Sequence, residues 1–374
     1  MNALSPVKTD PGRISAKPAS IKADVRRKEQ MTFPAHATGL ATRPFADTLI
    51  ADLAAEIAGH GYSVTRQDDG LAVALPVGRI EAKVAGGSFE VTIAAGDVGK
   101  IHEMREALLH LLDHAAPQLS DRMSWHGDLP SGIFPPNFRT ARFISSERIS
   151  PNFLRLTLSC ETVSDLLEGG MHFRLAIPPK GRAPVWPRLD ASGRTIWPKG
   201  EDALHRPAYT FVEVDPDKGR FSFDLYLHDG GLATTWAASA RPGEEVGVAG
   251  PGGGTPPPGD FLLIAGDETA LPAIRRIVET SPADRCGQVF VELGDPADRV
   301  PIAAPAGIAV TWLTRGEGIS LWDAILSVAF PAAGESRFVW IAAERDVARR
   351  ARLHFRDGVG VPLEETYISA YWTK

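Results

Sequence analysis

Residues 261–274 read Phe261-Leu-Leu-Ile-Ala265-Gly266-Asp267-Glu268-Thr269-Ala270-Leu271-Pro272-Ala273-Ile274. The first five are apolar without alternation, which fits a strand covered on both faces. Glycine and acidic residues then turn the chain, and Thr269–Thr280 reads as a helix. The same alternation continues outward. Gln288–Leu293 and Ile308–Leu313 read as strands, Ile319–Phe330 as a helix, Phe338–Ala342 as a strand, Glu344–Asp357 as a helix and Tyr367–Tyr371 as a final strand. Apolar strands alternating with helices predict an α/β domain over residues 260–374 with a parallel sheet. Ligands in such sheets bind at the carboxyl ends of the strands. The loops at 266–270, 314–316 and 343–345 lie at such ends.

Upstream the pattern changes. Ala141–Ile149, Phe153–Ser159, His172–Ile177, Tyr209–Asp215, Arg220–His228 and Glu245–Ala249 read as short strands with turn signals between them. That predicts an antiparallel β-barrel over residues 137–255. Residues 178–200 are too rich in proline for a helix and read as a long loop. Two stretches carry chemistry. In Arg206-Pro-Ala-Tyr209-Thr210, a cation, a ring and a hydroxyl suit a flavin diphosphate cofactor; an ordinary edge strand is the plainer reading. In His228-Asp-Gly-Gly231-Leu-Ala-Thr234-Thr235-Trp236, glycines turn the chain and Thr234 or Thr235 is expected to cap a short helix. A helix start offers free N–H groups to an anion. Gly250-Pro-Gly-Gly-Gly254 lacks both the dinucleotide spacing and the P-loop lysine, and reads as a hinge.

Further upstream, Ala46, Leu49, Ile50, Leu53 and Ile57 fall on one helix face. Three alternating segments and a second helix (Val98 to Leu112) follow. Residues 40–126 are thus expected to form a small α+β domain, joined to the barrel by a Pro/Gly-rich linker. His110 and His114 share a helix face, but no third ligand with matching spacing is visible, so no metal site is assigned. Residues 1–39 are expected to be a disordered tail. Within it, residues 1–30 hold seven Lys/Arg and three Asp/Glu without an apolar stretch, and Met31 offers a second, more ordinary start.

The chain has 374 residues, 44% hydrophobic and 23% charged, with net charge −6. That length allows two or three domains, and the composition excludes overall disorder. No apolar run reaches the ~20 residues of a membrane span. The acidic balance argues against a nucleic-acid partner. Cys160 and Cys286 lie too far apart for a disulfide framework and suit a cytoplasmic location.

Together these motifs resemble the siderophore-interacting protein family of FAD-binding ferric-siderophore reductases, the vibriobactin-utilisation type. The resemblance rests on Arg206 to Thr210, Leu227 to Gly230, Ala233 to Ala237, Gly266 to Ile274, Trp312 to Gly316, Val339 to Glu344 and Tyr367 to Trp372, and covers about two-thirds of the chain. The segment ahead of them resembles the small domain of unknown function often found before such proteins. Val212, Ala343 and Ala370 depart from the Arg and glycines usual in relatives.

The resemblance implies a ferredoxin-reductase-like pairing of flavin barrel and NAD(P)H domain. It implies that FAD passes electrons from NAD(P)H, or from a ferredoxin, to the Fe(III) of a ferric siderophore. It implies no catalytic side chain in the protein itself. FAD contacts are implied for Arg206, Tyr209, Thr210, His228, Thr234, Thr235 and Trp236. Asp267 and Thr269 are implied to face the electron-donor site. Arg315, Arg345 and Arg350 are candidates for an anionic siderophore. A general flavin or ferredoxin–NADP-type reductase and a non-catalytic siderophore binder are the alternatives.

Overall fold

The computed structural model describes residues 33–60, 62–190, 192–254 and 256–373. Most of the expected tail therefore lies outside the described residues, but its last part does not. Ala35–Thr42 is a strand, β1, paired with two neighbours. It escapes a sequence reading because its inward residues are small: Ala35, Ala37 and Ala41 are buried. Gly39 shares that face, and a Cβ there would stand 2.8 Å from the Trp125 ring. A stripe of alanines and glycine leaves almost no hydrophobic pattern.

β1 leads into α1 (Leu49–Gly59), β2 (Thr65–Gln67), β3 (Gly70–Leu75), β4 (Gly78–Ala85), β5 (Ser88–Ala95), α2 (Val98–Ala115) and β6 (Ser124–Gly127). The strands form one antiparallel sheet in the order β2-β3-β4-β5-β1-β6. Leu53, Ile57, Leu108 and Leu112 of the two helices share a core with Phe89, Val91 and Ile93 of β5. The N-terminal domain is α+β as expected, and β1, β2 and β6 are additions to the expected element order.

The middle domain contains β7 (Phe138–Ser150), β8 (Phe153–Ser159), β9 (His172–Ala176), β10 (Arg188–Leu189), β11 (Thr195–Ile196), β12 (Ala208–Asp215), β13 (Arg220–Tyr226), α3 (Leu232–Ser239) and β14 (Glu245–Gly252). Six of these strands close a barrel in the order β12-β13-β8-β7-β14-β9. Its interior is apolar, with Phe173 and Phe211 stacked 4.4 Å apart. The expected loop at 178–200 holds the small β10–β11 hairpin, which lies against α2.

The last domain runs β15 (Phe261–Asp267), α4 (Leu271–Glu279), β16 (Cys286–Leu293), β17 (Gly307–Thr314), α5 (Leu321–Leu326), β18 (Arg337–Glu344), α6 (Arg345–Arg352) and β19 (Thr366–Trp372). The sheet is parallel, in the order β17-β16-β15-β18-β19. Successive residues of β15 bury on opposite faces: Leu262 and Ile264 pack with α4, Leu263 and Ala265 with α5 and α6. α5 is shorter than the expected helix over 319–330: Ser320 caps its start by accepting from Asp323 N, and the chain leaves the helix at Ser327. The helix expected over 344–357 is α-helical to Arg352 and then widens into a π turn over Leu353–Gly358.

The barrel and the sheet domain are bonded to each other. Asp298, 1% exposed, accepts from Ser150 Oγ at 2.7 Å, Asn152 N at 2.8 Å and Asn152 Nδ2 at 2.9 Å. Arg276 of α4 donates to the Phe211 carbonyl at 2.7 Å.

Candidate functional site

β12 and β13 pair only from Phe211↔Phe223 onward, so the start of β12 is bonded to β9 alone. That frees the edge carrying Tyr209 and Thr210. Their side chains point opposite ways, as neighbours on a strand must. The Tyr209 ring leans on Phe223 at 4.7 Å and Phe173 at 6.2 Å. Burial pushes its phenol up, so it stays protonated at neutral pH. Thr210 is buried and meets His172 Nδ1 at 3.1 Å.

His172 then links the two domains. Its Nε2 lies 3.5 Å from the Tyr371 hydroxyl of β19, with the two rings edge to face. Burial, with the Arg276 charge adding to it, lowers its pKa to about 4, so the ring is neutral at physiological pH. Burial likewise raises the Tyr371 phenol. The line Thr210–His172–Tyr371 runs from barrel to sheet domain. Tyr371 belongs to the Tyr367–Trp372 motif that the sequence offers, whereas His172 is not singled out by the sequence, its signal being one histidine at the start of a strand.

Arg206 stands four residues before Thr210 and outside β12. Its guanidinium lies 4.1 Å over the Trp197 ring. Arg174 of β9 donates to the Arg206 carbonyl at 3.2 Å. Burial first, and the neighbouring Arg174 charge second, lower the Arg206 pKa. Neither guanidinium has a carboxylate partner among the described residues. Two adjacent cations without counter-ions suit a diphosphate.

If the β12–β13 register is continued past its last pair, His228 falls opposite Arg206. α3 begins just beyond. Neither Thr234 nor Thr235 caps it, contrary to expectation: the N-cap is Gly231, without a side-chain cap. Thr235 Oγ1 donates back to the Gly231 carbonyl at 2.9 Å, and Thr234 Oγ1 accepts from His228 N at 3.3 Å. The hydroxyls thus brace the turn and leave the first amides of α3 uncapped by a side chain, as a helix start that would suit an anion. A Cβ at Gly231 would come within 2.7 Å of the exposed His228 ring, which would have to shift to admit it. Trp236 packs edge-on against Phe143 and donates to Glu244 at 2.8 Å. It supports α3 from the barrel core.

Ring, buried hydroxyl, paired cations and helix start together form a donor set that fits FAD. Tyr209 and Thr210 would hold the flavin end; Arg174, Arg206 and the start of α3 would hold the diphosphate.

In the sheet domain, Asp267 and Thr269 face each other rather than an open cleft. Asp267 is buried at the strand-order reversal between β15 and β18 and accepts from four donors. These are Thr269 N at 3.0 Å, Thr269 Oγ1 at 2.5 Å, Glu344 N at 3.0 Å and Trp372 Nε1 at 2.8 Å. Burial raises its pKa despite those bonds.

Arg315 is occupied as well. It bonds Glu268 at 2.8 and 2.6 Å and Glu292 at 3.1 Å, which raises its pKa and leaves it little charge to offer a ligand. Arg350 lies 4.5 Å over Trp322, and Arg345 is exposed at the start of α6. The structure does not bring these three arginines into one pocket.

On the N-terminal domain, His60 supplies the third imidazole beside His110 and His114 that sequence spacing could not show, with ring centres 6.4 Å from each. No group of three or more such side chains among the described residues is arranged to hold a metal.

Comparison with known proteins agrees with this geometry. Residues 142–255 match the siderophore-interacting FAD-binding domain, and residues 260–374 match the siderophore-interacting protein model. The NADPH-dependent ferric-chelate reductase of Escherichia coli is 32% identical over 243 residues, 63% of this chain and 92% of that protein. The ferric vibriobactin reductase of Vibrio cholerae is 28% identical over 247 residues, covering 63% and 89%. A siderophore utilization protein from T. fusca superposes with TM-score 0.56 at 28% identity, over 65% of this chain and 95% of that one. Flavin barrel, parallel sheet and their junction coincide with the matched segments, and the chain belongs to the siderophore-interacting protein family.

Proposed function

We infer that the protein is an FAD-dependent ferric-siderophore reductase that takes electrons from NAD(P)H and releases iron as Fe(II). The observation that carries this is the junction: Tyr209 and Thr210 of a flavin-type barrel meet Tyr371 of a nucleotide-type sheet through His172. The chemistry supplied by bound flavin is conversion of a two-electron donor into single electrons for Fe(III). The protein's own part is placement. Thr210 presents a hydroxyl held by His172, and Tyr209 presents a protonated ring. His172 and Tyr371 are both neutral, so neither of them would bring a charge to the flavin. Reduction frees iron because the hard oxygen donors of a siderophore hold Fe(II) far less well than Fe(III).

Arg345 and Arg350 remain the proposed contacts for an anionic siderophore; Arg315 is withdrawn because two glutamates already neutralise it. The donor is proposed to be NAD(P)H, with ferredoxin as the other candidate. No described helix is long and apolar enough to cross a membrane. A cytoplasmic site of action is proposed on the two free cysteines and on the need for reduced nucleotide.

The test is anaerobic. FAD-loaded protein is mixed with NADH, NADPH or reduced ferredoxin, then with a panel of ferric siderophores, and Fe(II) is trapped with a chromogenic chelator. Bleaching at 450 nm followed by siderophore-dependent Fe(II) is expected. Bleaching without Fe(II) release would favour a general flavin reductase, and neither event would favour a binding protein.

A further inference from the structure

Six buried side-chain polar atoms lack a hydrogen-bond partner among the described residues, and four of them lie at one junction: His102 Nδ1, Arg105 Nε, Glu106 Oε1 and Trp125 Nε1. All four belong to α2 or β6, where the N-terminal domain meets the β10–β11 hairpin. Arg105 is fully buried and donates to the carbonyls of Ser192 and Gly193. Its guanidinium lies 5.7 Å from the Trp125 ring centre. Folded proteins leave few such atoms unpaired, so a concentration of them asks for an explanation.

Of these four residues, Trp125 alone lines the neighbouring cavity of about 550 Å³, which lies between the N-terminal domain and the 188–206 segment of the barrel domain. The cavity has three kinds of wall. Trp125 and Trp197 offer rings. Lys199 and Arg206 offer cations with no carboxylate partner among the described residues, Arg206 standing beside Arg174. Asp121 and Asp190 offer acceptors; Asp190 Oδ1 is already taken by Ser192 N, Ser192 Oγ and Arg194 N, leaving its other oxygen. Asp121 already pairs with Arg194 at 2.8 Å through one oxygen, leaving the other.

Those walls match the parts of an adenosine phosphate. Rings stack a base, cations hold a phosphate, and carboxylates accept ribose hydroxyls. Position narrows the source. Arg206 precedes Thr210 by four residues of extended chain, about 13 Å. An extended ribityl diphosphate, starting from a flavin ring at Tyr209 and Thr210, reaches that far.

We propose that this cavity takes the AMP half of FAD, so that the N-terminal domain completes the cofactor site. The proposal rests on the FAD reading above. It gives that domain a task and sets the chain apart from the matched segments of its relatives, which begin after it.

FMN lacks the AMP half and is the natural control. Full-length apoprotein is titrated with FAD and with FMN by flavin fluorescence, for wild type, Lys199→Ala and Trp125→Leu. Wild type is expected to prefer FAD. Lys199→Ala should weaken FAD by about five- to tenfold and leave FMN affinity unchanged. Trp125→Leu should do the same; should it disturb folding, the exposed Lys199 carries the test alone. Unchanged FAD affinity in Lys199→Ala, or equal losses for FAD and FMN, would overturn the proposal. So would a raised KM for NADPH or ferric chelate at unchanged FAD affinity, which would assign the cavity to that ligand. Wild-type protein that binds neither flavin would remove the FAD reading itself.

Discussion

Arg206 and His172 show how single residues are set by what surrounds them. Arg206 shares its charge with Arg174 and has no counter-ion, so an anionic ligand would relieve the repulsion. Arg206→Ala is expected to weaken FAD binding by roughly 1.5–3 kcal/mol, the usual worth of a charge-assisted contact. Flavin fluorescence titration measures it, and wild-type affinity in the variant would end the phosphate assignment. His172 and His102 are both held neutral, with pKa lowered from 6.5 to about 4, chiefly by burial. The unfolded chain therefore binds protons between those values that the fold refuses. Stability present above pH 6.5 is lost as the pH falls toward 4, by roughly 3 kcal/mol per histidine at most. Thermal melts from pH 7.5 to 4.5 should show this fall, and His172→Gln should flatten it. A variant as acid-sensitive as wild type would place the effect elsewhere.

At the scale of elements, Asp267 ties three strand ends together. It sits at the end of β15 and accepts from Glu344 at the end of β18 and from Trp372 in β19. Asp267→Ala would leave half-buried donors on Thr269, Glu344 and Trp372 without their acceptor, at a total cost of about 1–3 kcal/mol. Thermal unfolding should register that loss, and NAD(P)H reduction of the flavin should slow as β19 and Tyr371 loosen. A variant with wild-type Tm would show that the strand ends hold without it. β19 also carries Ala370, which is exposed and paired with Ala343 in the sheet. Ala370→Gly is expected to speed flavin reduction by allowing closer approach of the donor. Stopped-flow traces decide this, and equal rates would show that one methyl does not restrict the site.

For the whole molecule, the question is what keeps the barrel and the sheet domain in one arrangement. Asp298 is nearly inaccessible and receives three hydrogen bonds from the turn between β7 and β8. Phe153 and Tyr226 of the barrel share a core with Ile264 and Ile274 of the sheet domain. Asp298→Ala should cost about 3 kcal/mol by orphaning Asn152 and its amide. Calorimetry should then separate barrel and sheet melting into two transitions, whereas a single unshifted transition would mean that apolar contact alone docks the domains.

The sequence by itself determined the barrel strands and the parallel strands of the last two domains, because their burial pattern is written in large apolar residues, though not the β10–β11 hairpin. A strand covered on both faces must be apolar throughout, and β15 is; a barrel strand must alternate, and β8 does. It also named Tyr209, Thr210 and the turn before α3, since those signals are local. β1 was not legible, because alanine and glycine bury against Trp125 without a hydrophobic stripe. Only tertiary structure decided which cations are free. Arg315 is spent on Glu268, 47 residues earlier in the chain, while Arg206 finds another arginine and an indole. The His172–Tyr371 contact joins residues 199 apart in sequence. Such pairings depend on how the barrel docks against the sheet domain, and no local pattern encodes that docking.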